Sequence, residues 1–323
     1  MIKILTIGDI HYSDVAPISR NEDYYKHILK KLLECILIAK KLEVDYICPT
    51  GDFFHRKSAA SFHEAIMLMS VIKRSKIPFV GIGGNHDYTG YNLNTINNRA
   101  LGCLVESGLI RLLDFNPIES GGILLMGNSY SSMYDMDRHG YVKPDKYDDK
   151  FTIAITHGSM CLTDNGTFWG QYTNMNNLRN MEQPIHNIII NGHRHDFQKP
   201  YKFKDKNCTV FSDGSLARNI LKEDVSKRIP TVRYLKIKDG SFKDELIQLK
   251  SAVDFTEAFI IPEAIEEMDV NTIKDFVSLL SKESGELDIS NDKNMVKKII
   301  KEYGYDKNVE AQVLDYIENS EEY

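Results

Sequence analysis

Ile2-Lys3-Ile4-Leu5-Thr6-Ile7-Gly8-Asp9-Ile10-His11 is the stretch on which the fold turns. Six residues rich in β-branched side chains read as a buried strand, because a strand covered on both faces shows no polar alternation. Gly8 ends the run, and Asp9 and His11 follow it. In an extended segment residues i and i+2 point the same way, so Asp9 and His11 form a two-toothed clamp at a strand end.

The pattern of apolar run, glycine and polar block repeats along the chain. Val44–Cys48 leads to Gly51-Asp52, and Phe79–Ile82 to Gly84-Asn85-His86-Asp87. Phe151–Thr156 leads to His157-Gly158, and Ile188–Ile190 to Gly192-His193-Arg194-His195. Between the first three strands, Ser19-Arg20-Asn21-Glu22 and Ser61-Phe62-His63-Glu64 carry the S-x-x-E capping-box pattern. Each precedes a helical apolar stripe, Ile28, Leu32 and Ile36 in one case and Ala65, Met69 and Ile72 in the other. This is an α/β plan with its chemistry at the carboxyl ends of strands. A further helix is expected over Thr95–Glu106. Strands are expected at Ile110–Leu113, Ile123–Met126, Tyr201–Phe203, Thr209–Ser212, Thr231–Ile237 and Glu245–Leu249. Residues 127–150, rich in Tyr, Ser, Asp and Gly, read as a long loop.

Aspartate, asparagine and neutral histidine are ligands suited to Mn²⁺, Fe²⁺ or Zn²⁺. A lone histidine is better read as a core or surface residue, and so are His27, His63, His139 and His186. Five blocks at five strand ends are a different matter, and their convergence points to a metal site. The five scattered cysteines read as reduced residues of a cytoplasmic protein. No apolar run approaches the roughly 18 residues needed to cross a membrane, so the chain is expected to be soluble and without a membrane partner.

The ordered set D-x-H, G-D, G-N-H-D, H-G and G-H-x-H resembles the calcineurin-like metallophosphoesterase superfamily over about residues 1–217. The resemblance implies a four-layer αββα sandwich holding two divalent metal ions, Mn²⁺ first among Mg²⁺, Fe²⁺ and Zn²⁺. It implies Asp9, His11, Asp52 and His195 on the first metal and Asp52, Asn85, His157 and His193 on the second, with Asp52 bridging. It also implies that His86 assists the leaving oxygen, with Asp87 orienting it.

Gly51-Asp52-Phe53-Phe54-His55-Arg56-Lys57 departs from the G-D-x-x-D-R-G of protein phosphatases. It is similar to the G-D-[LF]-F-H of the SbcD and meiotic-recombination-eleven DNA nucleases, compact phage or bacterial forms in particular. Gly214-Ser215-Leu216 matches part of that family's Y-x-G-S-[LP] turn, with Ser212 in place of its Tyr. In this resemblance His55 places the DNA phosphate; a hydrogen bond from His55 to a ligand carboxylate is an equal alternative. Arg56, Lys57 and Arg194 are candidate substrate contacts. Arg56 also suits a small-molecule phosphodiesterase or phosphomonoesterase, gripping a terminal phosphate, or is simply a solvated charge. A non-catalytic scaffold is the remaining alternative, disfavoured by the full ligand set.

The formal charge of −6 is unevenly spread. Residues 251–323 carry 18 acids and 7 lysines, and residues 1–250 carry 33 bases and 28 acids. A mildly basic body, 1–250, is thus expected as the nuclease domain. Arg20, Lys57, Arg74, Lys76, Arg138, Arg194 and Arg218 are its candidate phosphate contacts. Tyr130, Tyr134, Tyr141 and Phe168-Trp169 are candidates to stack on bases. The acidic tail, 251–323, has helical spacing at Ile265, Met268, Ile273 and Phe276, and again in a hairpin at 292–319 broken at Gly304. In SbcD-type proteins such helices dock on an SMC-like ABC ATPase of the SbcC type, so DNA, this ATPase and a second copy of the chain are the expected partners. The alternative for the tail is packing on its own sheet.

Overall fold

Strand β1, Ile2–Ile7, is paired on both sides, in parallel with β2 (Tyr46–Pro49) and antiparallel with a late strand of the chain. Its two faces enter different cores. Ile2 and Ile4 face a second sheet, while Leu5 and Ile7 pack beneath helices. This double burial is why the segment shows no polar alternation. The computed structural model describes residues 1–260 except Glu22, Ser58, Ala59, Phe115 and 167–170, and of Glu223 the backbone alone. The expected tail helices, the hairpin at 292–319 and Phe168-Trp169 lie outside the described residues.

After β1 come α1 (Tyr24–Leu42), β2, α2 (Phe62–Ile72), β3 (Phe79–Gly81), α3 (Ala100–Glu106) and β4 (Ile110–Leu112). The chain continues with β5 (Ile118–Ser120), β6 (Ile123–Asn128), α4 (Tyr134–Asp137), β7 (Phe151–Thr156), β8 (Met160–Cys161), β9 (Thr173–Asn174) and α5 (Met175–Arg179). It then adds β10 (Ile188–Asn191), β11 (Gln198–Phe203), β12 (Cys208–Ser212), β13 (Thr231–Lys238) and β14 (Ser241–Gln248). One six-stranded sheet has the order β14-β13-β1-β2-β3-β4, and a second has β11-β12-β10-β7-β6-β5. The first sheet is parallel from β1 to β4 and antiparallel at its β13–β14 edge, and the second is parallel at its centre and antiparallel at both edges.

Three apolar clusters separate four layers. Ile4, Val80, Ile82, Leu125, Ile155 and Ile190 fill the space between the sheets. Leu5, Ile28, Leu32, Leu68 and Leu104 join the first sheet to α1–α3. Tyr134, Tyr141, Met160, Met175, Leu178 and Val210 cover the outer face of the second. Burying each such side chain contributes about 1.5–3 kcal/mol. The architecture is the expected αββα sandwich, although one outer layer consists of the short α4 and α5 with loops.

Local readings needed correction. Residues 127–150 carry α4 and two 3-10 turns and are packed, with Tyr134 and Tyr141 fully buried. Those two rings belong to the core and are not placed to stack on bases. The helix expected over Thr95–Glu106 breaks at Arg99, which is extended (φ −128°, ψ 164°), into a 3-10 turn and α3. The capping box at Ser61 is present, its Oγ accepting from Glu64 N at 3.1 Å. The one at Ser19 does not start a helix, since α1 begins at Tyr24.

Candidate metal centre

The carboxyl ends of β1, β2, β3, β7 and β10 bring the five polar blocks together. Three of their residues sit in left-handed backbone: His11 at φ 45°, Asp52 at φ 45° and His193 at φ 70°. The glycines beside them are required by space. A Cβ on Gly84 would collide with the Asp52 carboxylate, and one on Gly192 would lie 2.6 Å from Thr50 O and 2.8 Å from His157 Nδ1.

Asp9, His11 and His195 form one group and Asp52, His157 and His193 another, the ligand atoms of each lying within 4.8 Å of one another. His11 Nε2 is 2.8 Å from His195 Nε2. Asn85 joins the second group, with Oδ1 3.1 Å from His157 Nε2 and 3.0 Å from His193 Nδ1. Asp52 Oδ2 lies between the groups, 3.5 Å from His11 Nε2 and 3.3 Å from His157 Nε2.

Neighbouring groups fix these side chains. His157 Nδ1 donates to Thr50 O at 2.7 Å, which turns Nε2 toward Asp52 and Asn85. Thr50 Oγ1 donates to Asp9 Oδ1 at 2.7 Å. Asp52 Oδ1 accepts from His86 N at 2.9 Å. The Gly214-Ser215-Leu216 turn reaches the site through its backbone, Leu216 N donating to Asp9 O at 2.9 Å. Arg228 Nε donates to His195 O at 2.9 Å and thereby anchors that strand end. Thr50 and Arg228 were not legible as site residues. Thr50 adjoins the Gly-Asp block, but nothing in the sequence points to Arg228.

The electrostatics are those of a site built for cations. Burial lowers His11 well below the imidazole range and takes His195 down to about 3, so both rings are neutral and able to ligate a cation. Burial, and then the charge of Asp52 against the opposing pull of His157, lifts Asp9 to about 7. Burial disfavours the imidazolium of His157, yet Asp52 and Asp9 outweigh it and hold that group up at about 9. Asp9 Oδ2 and His11 Nδ1 are buried and have no hydrogen-bond partner among the described residues. A buried unpaired carboxylate oxygen is costly. A divalent cation held by Asp9, His11 and His195 would satisfy it, and one held by Asp52, Asn85, His157 and His193 would replace the proton on His157. The donor set fits two such ions.

The three expected catalytic residues lie beside this centre. The His86 ring packs edge-on to His11 at 4.8 Å. Its Nδ1 bonds the backbone carbonyl of His55. Asp87 does not orient it, contrary to expectation. Asp87 Oδ1 accepts from Phe53 N at 2.9 Å and Phe54 N at 3.3 Å, and Oδ2 from Gly84 N at 2.9 Å. Its work is to tie the two loops together. The partly exposed His55 ring is 5.5 Å from that of His11 and stacked on that of His86 at 6.0 Å. Arg56 Nη2 is held by Asp14 at 3.2 Å and Glu64 at 2.9 Å. Arg194 pairs with Asp196 at 2.7 Å. Lys57 is partly exposed.

Residues 2–197 match the family described as calcineurin-like phosphoesterase. The chain is 24% identical over 283 residues to the DNA double-strand break repair protein Mre11 of Archaeoglobus fulgidus. That match covers 79% of this chain and 59% of the relative, so the chain spans about three-fifths of that protein's length. Among solved structures it is similar to a dimetal phosphatase from Danio rerio at 11% identity, with a TM-score of 0.46 over 77% of this chain and 99% of that one. It is also similar to an archaeal phosphodiesterase at 15% identity, with a TM-score of 0.37 over 76% of this chain and 100% of that one.

Proposed function

The chain belongs to the calcineurin-like phosphoesterase family and is a metal-dependent phosphoesterase, and from that membership we propose a Mn²⁺-dependent nuclease that hydrolyses DNA phosphodiesters. The supporting observation is His55. The Gly51-to-His55 pattern resembles the DNA nucleases of the family, and its ring stands at the mouth of the centre beside His11 and His86. The 24% identity to a double-strand break repair protein points the same way.

A pair of divalent cations, when bound, would supply Lewis-acid charge and lower the pKa of water at the site. The residues of this chain do the rest. Asp9, His11 and His195 would hold one ion and Asn85, His157 and His193 the other, with Asp52 placed to serve both. His86 gives its Nδ1–H to the His55 carbonyl, which leaves Nε2 to take up a proton from water. The imidazolium so formed, made more acidic by burial, can return that proton from Nε2 to the departing oxygen. His55 positions the phosphate that is cut.

The rival phosphomonoesterase depends on Arg56, whose guanidinium is engaged by Asp14 and Glu64. The test is to incubate the chain with Mn²⁺ and either end-labelled DNA or p-nitrophenyl phosphate. Cut DNA with little release of nitrophenol is expected. Nitrophenol release with intact DNA would select the phosphomonoesterase instead. As part of the same reading, residues 292–319 dock on the coiled-coil root of an SMC-like ABC ATPase, making the chain the nuclease subunit of a break-processing complex.

A further inference from the structure

One wall of the centre is a row of aromatic rings. Tyr130 lies nearly parallel to His193, with centroids 5.6 Å apart and planes at 19°. It is also parallel to the buried Tyr134, at 6.4 Å and 3°. Tyr91 meets Tyr130 edge-on at 5.1 Å and 72°. Tyr134 is buried, Tyr130 partly exposed and Tyr91 37% exposed. The row therefore runs from the core, past a residue of the second metal group, to solvent.

Tyr91 is an odd residue for its place. Its backbone is left-handed, φ 54°, directly after Gly90 at φ 57°. A bulky side chain rarely adopts this region. Glycine would suit the backbone, and a small polar residue would suit the exposure. The conformation is held by a web of bonds around it. Asn92 N donates to Thr89 O at 3.1 Å, Thr95 Oγ1 to Asn92 O at 2.8 Å, and Thr89 N to Thr95 Oγ1 at 2.9 Å. Arg99 Nε donates to Thr89 Oγ1 at 2.6 Å. Strain kept in place by its surroundings is a mark of a ligand clamp.

We infer that Tyr91, backed by Tyr130, is a stacking platform for the nucleobase next to the phosphate held at the metal centre. The inference rests on the nuclease reading and sharpens it. A base can lie on Tyr91 only when one of its faces is uncovered. The substrate is then single-stranded DNA or a frayed end rather than an intact duplex.

The test measures the affinity of the full chain, by fluorescence anisotropy in Ca²⁺, for a short oligothymidylate and for its abasic counterpart. The unaltered chain is expected to prefer the base-bearing strand. Tyr91→Gly should lose roughly 5- to 150-fold in affinity for oligothymidylate, the equivalent of about 1–3 kcal/mol per stacked base, and little for the abasic strand. Its melting temperature should stay level or rise, because glycine suits the backbone. Tyr91→Phe should keep the preference. Equal loss on both probes, or no loss on either, overturns the platform. A chain that keeps the preference yet cuts no DNA in Mn²⁺ overturns the nuclease reading alone.

Discussion

The left-handed backbone at His11, Asp52 and His193 costs on the order of 1–3 kcal/mol at each position. Neighbouring bonds hold it, for example His11 N donating to Asp52 O at 2.8 Å. Such outliers turn side chains inward at the ends of strands, which is where the two groups meet. At His86 the decisive partner is a backbone carbonyl, that of His55. Backbone acceptors leave no trace in sequence, which is why Asp87, the adjacent carboxylate, looked like the orienting group. His86→Ala should keep both Mn²⁺ ions in a calorimetric titration and cut DNA roughly 100- to 10,000-fold more slowly, the usual worth of a positioned acid. Full activity in this variant would remove His86 from the chemistry.

Strands buried on both faces were the most legible elements, because their apolar runs stop at glycine and their polar blocks follow directly. Capping boxes were legible only half the time. At Ser61 the motif is completed by groups remote in sequence. Glu64 accepts from Ser61 N at 2.6 Å, Asp14 N at 3.0 Å and Arg56 Nη2 at 2.9 Å. Ser19 lacks such support at a helix start, and its Oγ donates instead to Asn219 O at 3.5 Å. The small strands β8 and β9 escaped notice because two residues carry no measurable period. The proposed docking hairpin is an element with a test of its own. The chain without residues 290–323 should keep its basal Mn²⁺ activity and fail to co-purify with an SMC-like ATPase. Undiminished co-purification would refute the docking role, and an unfolded body would make the segment structural.

Across the whole molecule, charge was harder to read than fold. The split between a basic body and an acidic tail is a matter of sequence, but where the body's charge lies is not. Arg20 and Arg218 are each 3% exposed and spend their guanidinium groups on carbonyls, Arg20 Nη1 on Arg218 O at 2.8 Å and Arg218 Nη1 on Ser226 O at 3.1 Å. They are internal fasteners and drop out as contacts for DNA. Arg74 and Lys76 remain exposed. What the sequence conveyed well was the convergence of five blocks on one centre, since their order and spacing mirror the order of the strands. What it could not convey was how closely Asp52 stands between the two groups. Whether a pair of ions shares Asp52 is decided by titrating Mn²⁺ into the unaltered chain and into Asp52→Ala. Two ions bound by the unaltered chain, and loss of tight binding at both places in the variant, are the predicted result. A single ion in the unaltered chain, or two ions still bound tightly by Asp52→Ala, would contradict it.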